Sequence, residues 1–129
     1  MDDKAIVIIG AKGQVGRALQ KVYPQALALD REQLDITDQK AINEFNWDNT
    51  KVIINAAAWT DVDGAENPSN YDLVKAVNVD ATRHLAKAAS QHDLTFVTFS
   101  SDYVFDGSQP IHNEDEPFSP LNIYGKTKA

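Results

Sequence analysis

A tyrosine and a lysine near the end of this 129-residue chain have the spacing of an acid–base pair. Tyr124 and Lys128 are four residues apart, which on a helix places both side chains on one face, about a turn apart. A phenol titrates near pH 10, and a neighbouring ammonium lowers that pKa toward neutrality by stabilising the phenolate. Ser101 follows an apolar run and can hold a substrate oxygen. The Y-x-x-x-K spacing also occurs by chance, but beside a dinucleotide these three residues suit hydride transfer at a carbonyl.

A glycine-rich turn near the amino terminus predicts that dinucleotide site. Residues 5–9 are apolar and mostly β-branched, which is typical of a strand buried on both faces of a parallel sheet. Gly10, Gly13 and Gly16 follow, and Gln14–Val22 has the pattern of a helix. Unpaired N–H groups at the helix start and the missing Cβ atoms would let a diphosphate approach closely. Glycines also serve plain turns and tight helix–strand packing, which is the alternative interpretation.

Further apolar runs alternate with helical patterns along the chain. The runs predict three more strands, at 26–30, 51–55 and 94–99, and the helical patterns include 69–91 and a helix starting near residue 122. This alternation predicts an α/β fold with a Rossmann-like, doubly wound parallel sheet. We expect the strand order 3-2-1-4, with the fourth strand beside the first and ligands at the carboxyl ends of both. That order would bring Ser101 next to the glycine turn.

Three polar residues within these elements have more than one interpretation. Asp30 lies 20 positions after Gly10, close to where a dinucleotide fold places the carboxylate that holds the adenosine ribose. It could equally be a solvated residue at a strand end, and Arg31 beside it could meet a 2′-phosphate, so NAD and NADP both stay open. Asn78 is a mediocre helix former whose amide can hydrogen-bond a neighbouring loop. His84 is expected to be a surface or packing residue.

The composition limits the class of protein. A formal net charge of -7 argues against nonspecific binding to nucleic acid or to an anionic membrane, which needs basic patches. The chain has no cysteine, so thiolate metal sites are excluded, and we expect a reducing, cytoplasmic setting. No run approaches the roughly 20 apolar residues of a membrane span, and we assign no metal ligand.

Several motifs together carry a family resemblance. They are residues 10–16 (GAKGQVG), 55–63 (NAAAWTDVD) with Ala65-Glu66, Val77-Asn78, 100–107 (SSDYVFDG) and 119–128 (SPLNIYGKTK). Over its whole length the chain resembles the dTDP-4-dehydrorhamnose reductases, a family of extended short-chain dehydrogenases/reductases. The resemblance implies NADPH- or NADH-dependent reduction of the 4-keto group of a dTDP-linked sugar, dTDP-4-dehydro-L-rhamnose. The product would be dTDP-L-rhamnose, a donor for cell-surface polysaccharide.

The resemblance also implies roles for individual residues. Tyr124 would be the proton donor, Lys128 its pKa-lowering and ribose-binding partner, and Ser101 and Asp102 would touch the sugar. The other cofactor contacts that it implies are Gly10, Gly13, Gln14, Val15 and Gly16 around the diphosphate, Asp30, Asp35 and Ile36 around the adenosine, and Ala57, Ala58, Trp59 and Phe99 along the dinucleotide.

Two departures from related patterns bear on the chemistry. Ser101 stands where the family usually has threonine, a change that keeps the hydroxyl. Sugar-nucleotide dehydratases of the same superfamily place Asp-Glu after the hydroxyl residue, whereas this chain has Asp102-Tyr103. The second carboxylate that elimination of water requires is therefore missing, which favours simple carbonyl reduction.

Residues 1–129 correspond to an NAD(P)-binding domain that stops after the Y-x-x-x-K motif. We expect the remaining strands and the sugar-binding domain to lie in a longer chain, so that this piece binds dinucleotide weakly and turns over little substrate. A homodimer of the full-length protein stays open. Two alternatives also remain: a regulatory subunit similar to the methionine adenosyltransferase β subunit, and a reductase for another nucleotide-linked keto sugar.

Overall fold

A four-stranded parallel sheet forms the centre of the computed structural model, which describes residues 2–129. Its strands are β1 (Ile6–Ile9), β2 (Leu27–Leu29), β3 (Val52–Asn55) and β4 (Thr95–Thr98). The helices are α1 (Gln14–Val22), α2 (Gln39–Glu44), α3 (Tyr71–Lys75), α4 (Ala81–Gln91) and α5 (Ile123–Lys128), and the 3-10 turns are Asp3–Ala5, Gly64–Glu66, Pro68–Asn70 and Asp102–Val104. None of the helices within residues 2–129 has the length and apolar character that crossing a bilayer requires.

The sheet confirms the parallel α/β fold class and corrects the expected strand order. The strands lie in the order β2-β1-β3-β4 rather than 3-2-1-4, so β3 takes the place beside β1 that was expected for the fourth strand. The physical reason is burial: every residue of β3 is buried, whereas β2 and β4 expose Leu27 and Val97. A strand that must be covered on both faces belongs in the middle of a parallel sheet. The crevice at the topological switch point therefore lies between β1 and β3.

Different helices cover the two faces of the sheet. On one face, α2 and α4 join Ile9 and Ile53 in the larger apolar core, to which Leu85 contributes from α4. On the other face, α1 packs through Leu19 against Ile8. Successive side chains of a strand point to opposite faces, so the continuous apolar runs of β1 and β3 supply both cores. These helices hold the carboxyl ends of the strands at one edge, where the predicted site residues follow.

The long helix expected over residues 69–91 is present but interrupted. A π-helical turn (Ala76–Asp80) separates α3 from α4. Such turns hold one extra residue and occur often at functional sites. Asn78 lies in this turn with only 6% of its surface exposed.

Candidate active site

The glycine turn after β1 contacts the backbone at the end of β2 and just after β3. The N–H groups of Gly10 and Ala11 both donate to the Leu29 carbonyl, at 2.9 and 3.0 Å. Gly10 has φ +85°, a conformation that favours glycine, and a Cβ there would lie 2.7 Å from the Ala57 nitrogen. The turn therefore closes against the end of β3 only because residue 10 has no side chain.

The start of α1 presents unpaired backbone donors to this turn. Gly13 is the N-cap, and within the described chain no side-chain hydrogen bond caps the helix. The first N–H groups of a helix have no intrahelical partner, and the helix dipole makes this end positive. Because Gly13, Gln14 and Val15 also line the cleft described below, their backbone fits the diphosphate of a dinucleotide.

Gly16 and Gln20 stabilise the glycine turn through contacts with its backbone. Gly16 is buried, and a Cβ there would overlap the Gly10 carbonyl oxygen and lie 2.8 Å from the carbonyl carbon. The Gln20 amide donates to the carbonyls of Ala11, at 2.8 Å, and Gly16, at 3.0 Å. Gln20 was not predicted as part of the site, because a helical glutamine has no local pattern that distinguishes it from a surface residue.

A cleft of about 1070 Å³ opens at the carboxyl edge of the sheet, between the glycine turn and the ends of β2 and β3. Ligand sites commonly have about 300–1,000 Å³, so this cleft is large enough for a dinucleotide. The predicted cofactor residues that line it are Gly10, Gly13, Gln14, Val15, Asp30, Asp35, Ile36, Ala57 and Ala58. Five polar side chains that were not predicted as cofactor contacts line it too: Lys12, Arg17, Glu32, Thr37 and Thr60.

Asp30 is held rigidly at one end of this cleft. One carboxylate oxygen accepts the Glu32 N–H at 2.9 Å, and the other meets the Lys12 ammonium at 2.5 Å. The Asp30 side chain is 11% exposed, whereas the Lys12 side chain is 70% exposed. Arg31 lines the cleft too, and its Nε lies 3.3 Å from a carboxylate oxygen of Asp35. Asp30 is therefore the more buried member of the ion pair, and Lys12 is the exposed one.

The Lys12 hydrogen bond lowers the pKa of Asp30 below its usual 3.8. A lowered carboxyl pKa adds stability above the unfolded value, and that stability disappears as the pH falls through the folded value. We expect Lys12→Met to raise the pKa of Asp30, measured by NMR titration of the side-chain carboxyl carbon. Asp35 is the internal control, because the Thr37 hydroxyl is the main cause of its lowered pKa. An unchanged Asp30 pKa in this variant would contradict the assignment.

Ser101, Tyr124 and Lys128 lie on adjoining segments at the end of β4. Ser101 caps the turn Asp102–Val104 by accepting the Tyr103 N–H at 3.2 Å. The Tyr103 ring meets the Tyr124 ring edge-on, with centroids 5.6 Å apart. The Lys128 ammonium donates to the Phe99 carbonyl at 2.5 Å, and partial burial lowers the pKa of Lys128. Backbone at the end of β4 is thus joined directly to the helix that carries the tyrosine.

The other predicted cofactor residues lie elsewhere in the described structure. Trp59 donates through its indole N–H to the Asp61 carbonyl at 2.7 Å. The Phe99 side chain borders an apolar groove on the α1 face of the sheet, together with Val97 and Ile54. Residues 2–129 contain no group of three or more His, Asp or Glu side chains placed to hold a metal ion.

Asn78 connects the cleft to the helix that carries Tyr124. Its side-chain oxygen accepts the Trp59 N–H at 2.8 Å, and its amide donates to the Thr127 hydroxyl at 3.0 Å. The expectation that this amide bonds a neighbouring loop is confirmed. Trp59 follows the residues that line the cleft after β3, so one buried side chain sets the position of α5 relative to that loop.

We expect Asn78→Ala to destabilise the fold by about 2 kcal/mol, because it leaves the Trp59 N–H without its acceptor and removes one of the two hydrogen bonds of the Thr127 hydroxyl. Unfolding in urea measures the change. Asn46→Ala is the matched control: Asn46 is exposed and accepts one local hydrogen bond, from the Asp48 N–H, so its loss should cost about 0.5 kcal/mol or less. Equal losses in the two variants would show that the bridge adds no stability of its own.

Contacts with residues outside the helix hold the six-residue helix α5 in place. The Ile123 N–H donates to the Glu66 carboxylate at 2.6 Å, and the Gly125 N–H donates to the Asn122 side chain at 2.7 Å. Gly125 packs on the Tyr103 backbone, where a Cβ would lie 3.1 Å from the carbonyl carbon. A helix this short is marginal alone, so these contacts stabilise the segment that carries Tyr124 and Lys128.

Comparison with known protein families identifies the relatives of this chain. Residues 4–129 match the family described as RmlD substrate binding domain. The chain belongs to this RmlD family. It is 40% identical to a dTDP-4-dehydrorhamnose reductase of Aggregatibacter actinomycetemcomitans, over 96% of the chain and 44% of the relative. It is also 36% identical to the bovine methionine adenosyltransferase 2 subunit beta, over 98% of the chain and 41% of that protein.

Solved structures of RmlD relatives have the same fold. A dTDP-4-dehydrorhamnose reductase of Clostridium acetobutylicum has a TM-score of 0.88 at 40% identity, covering 95% of this chain and 45% of that one. A reductase of Bacillus anthracis, solved in complex with NADP, has a TM-score of 0.87 at 34% identity, with the same shares covered. This RmlD chain therefore spans less than half the length of the relatives that it matches.

Proposed function

We propose that this chain is the dinucleotide-binding part of a reductase that reduces the 4-keto group of dTDP-4-dehydro-L-rhamnose with NADPH or NADH. The observation that carries the proposal is the Asn78 bridge, which ties the loop bordering the dinucleotide cleft to the helix bearing Tyr124 and Lys128. Reductase relatives at 40% identity support the substrate, and a relative solved with NADP supports the cofactor. The proposed setting is the cytoplasm, without nucleic acid or membrane.

Each residue of the proposed mechanism has one task. The glycine turn and the start of α1 bind the diphosphate, and Asp30 holds the adenosine ribose. A bound nicotinamide dinucleotide supplies the hydride to the carbonyl carbon. Tyr124 donates a proton to the carbonyl oxygen, while Ser101 hydrogen-bonds that oxygen and orients it. Lys128 holds the nicotinamide ribose and favours the phenolate that proton donation leaves.

Residues 1–129 are proposed to form the cofactor-binding domain of a longer protein. Residues 1–129 provide the cofactor half, and the part of the relatives that this chain does not span would bind the nucleotide sugar. We therefore expect the 129-residue chain to bind dinucleotide weakly and to turn over little keto sugar.

A regulatory subunit similar to methionine adenosyltransferase 2 subunit beta is the second candidate. The bovine protein of that name is 36% identical over 98% of this chain, almost as similar as the reductases. Such a protein would bind dinucleotide without consuming it. The Tyr124–Lys128 pair and Ser101 favour the reductase, since regulation alone does not require an acid–base pair.

An activity assay distinguishes the two candidates. The chain would replace the matching part of the Aggregatibacter reductase, and NADPH oxidation would be followed with dTDP-4-dehydro-L-rhamnose. Turnover that depends on the keto sugar supports the reductase. Binding of NADPH without consumption, together with binding to a methionine adenosyltransferase catalytic subunit, would support regulation instead.

A further inference from the structure

The ion pair between the glycine turn and the end of β2 bears on the choice of nucleotide, an inference that rests on the proposed dinucleotide site. Asp30 is fixed there by the Glu32 N–H and is nearly buried. Lys12 approaches it from solvent, 2.5 Å from the Asp30 carboxylate and 3.5 Å from the Glu32 carboxylate. This lysine is thus an exposed cation between two carboxylates at the mouth of the cleft.

The two carboxylates alone would discriminate strongly between nucleotides. A fixed carboxylate accepts hydrogen bonds from ribose hydroxyls, so Asp30 suits an unphosphorylated ribose. A 2′-phosphate in the same place would face repulsion from Asp30 and Glu32. A cation must therefore offset this repulsion if the cleft is to accept the phosphorylated nucleotide.

Lys12 is better placed than Arg31 to provide that cation. The Nε of Arg31 lies 3.3 Å from Asp35, whose other oxygen accepts the Thr37 hydroxyl at 2.6 Å. Arg31 is thus paired with Asp35 rather than with Asp30. Both cations line the cleft, but Lys12 lies within the glycine turn and contacts Asp30 directly.

We infer that Lys12 determines which nicotinamide nucleotide this site accepts. It stays near Asp30 when the ribose presents a 2′-hydroxyl, and it turns to the 2′-phosphate when the nucleotide is phosphorylated. The site accordingly accepts both NADH and NADPH. Removal of the Lys12 charge makes the site selective for the unphosphorylated nucleotide. The 2′-phosphate then loses its attraction to the lysine, and nothing offsets its repulsion by Asp30 and Glu32.

Calorimetric titration of the 129-residue chain tests this inference with two probes that differ only at the 2′ position: AMP and adenosine 2′,5′-bisphosphate. We expect Lys12→Met to weaken binding of the bisphosphate about tenfold or more, the loss typical of one charge-assisted contact, and to change AMP binding by less than about twofold. Arg31→Met is the matched control, since Arg31 is 74% exposed and loses the same charge nearby. We expect it to change the affinity for either probe by less than about twofold.

The remaining outcomes distinguish failure of the Lys12 inference from failure of the proposed dinucleotide site. Asp30→Asn should weaken AMP binding and leave binding of the bisphosphate equal or tighter, which supports the inference. An equal loss of both probes in Lys12→Met, or a selective loss of the bisphosphate in Arg31→Met, would overturn it while leaving the dinucleotide site in place. If the unaltered chain binds neither probe, the proposed dinucleotide site fails and the inference fails with it.

Discussion

Tyr124→Phe is expected to lower the rate of keto-sugar reduction roughly 100- to 10,000-fold, the contribution typical of one positioned acid–base group. The substitution removes the hydroxyl that would protonate the carbonyl oxygen and keeps the ring. The edge-on contact with the Tyr103 ring, at 5.6 Å between centroids, therefore remains, and α5 keeps its position. Steady-state NADPH oxidation by the chain joined to the remainder of the Aggregatibacter reductase measures the effect.

Tyr103→Phe is the matched control for this experiment. Tyr103 belongs to the same aromatic pair and is exposed, and it also loses only a hydroxyl. We expect near-normal turnover in Tyr103→Phe and unchanged NADPH binding in both variants. A similar loss of rate in both, or a Tyr124→Phe protein with normal turnover, would remove Tyr124 from the proposed role.

The sequence predicted the strands better than their arrangement. Continuous apolar runs are typical of strands buried on both faces, and β1 and β3 are buried at every position. Such runs do not specify neighbours, because any central strand satisfies them. The order was decided by contacts between distant segments, such as the pairing of Ile8 with both Ala28 and Ile54.

The interruption in the long helix could not be predicted from apolar spacing. Val74, Ala81 and Leu85 are all buried, as a continuous helix would require, although the π-helical turn lies between the first two. A π turn changes the pattern by a single residue, which lies within the tolerance of a helical stripe. Asn78 was the one local indication, because its poor helix propensity pointed to a partner outside the helix.

The candidate site was predicted where the chemistry is local in sequence. The glycine turn and the Tyr124–Lys128 pair were predicted from spacing combined with the strands and helices around them, and their roles stay predictions. The contacts that position them join residues far apart in sequence, such as Glu66 with the Ile123 N–H and Asn78 with the Thr127 hydroxyl. Side-chain contacts of this kind depend on the strand order, so they could not be predicted while that order was wrong.

Gly16→Ala is expected to destabilise the fold by about 3 kcal/mol, the upper end of the cost of overpacking. A Cβ on Gly16 would press on the Gly10 carbonyl and lie 3.0 Å from the Ala11 Cα. All of these neighbours are backbone atoms of a turn that hydrogen bonds to Leu29 already hold, so they cannot move aside cheaply. Urea unfolding of the 129-residue chain measures the loss.

Gly13→Ala is the control. It also distinguishes the two explanations of the glycines, which are a diphosphate site and tight backbone packing. A Cβ there would be 3.4 Å from the Gly10 oxygen, an ordinary contact, and φ is -72°. The free energy of unfolding should therefore change by about 1 kcal/mol or less. If a diphosphate lies on this turn, the new methyl group obstructs it, and dinucleotide affinity falls although the fold is intact. Unchanged affinity in Gly13→Ala would mean that no diphosphate lies against residue 13 and that the glycines serve packing and helix capping.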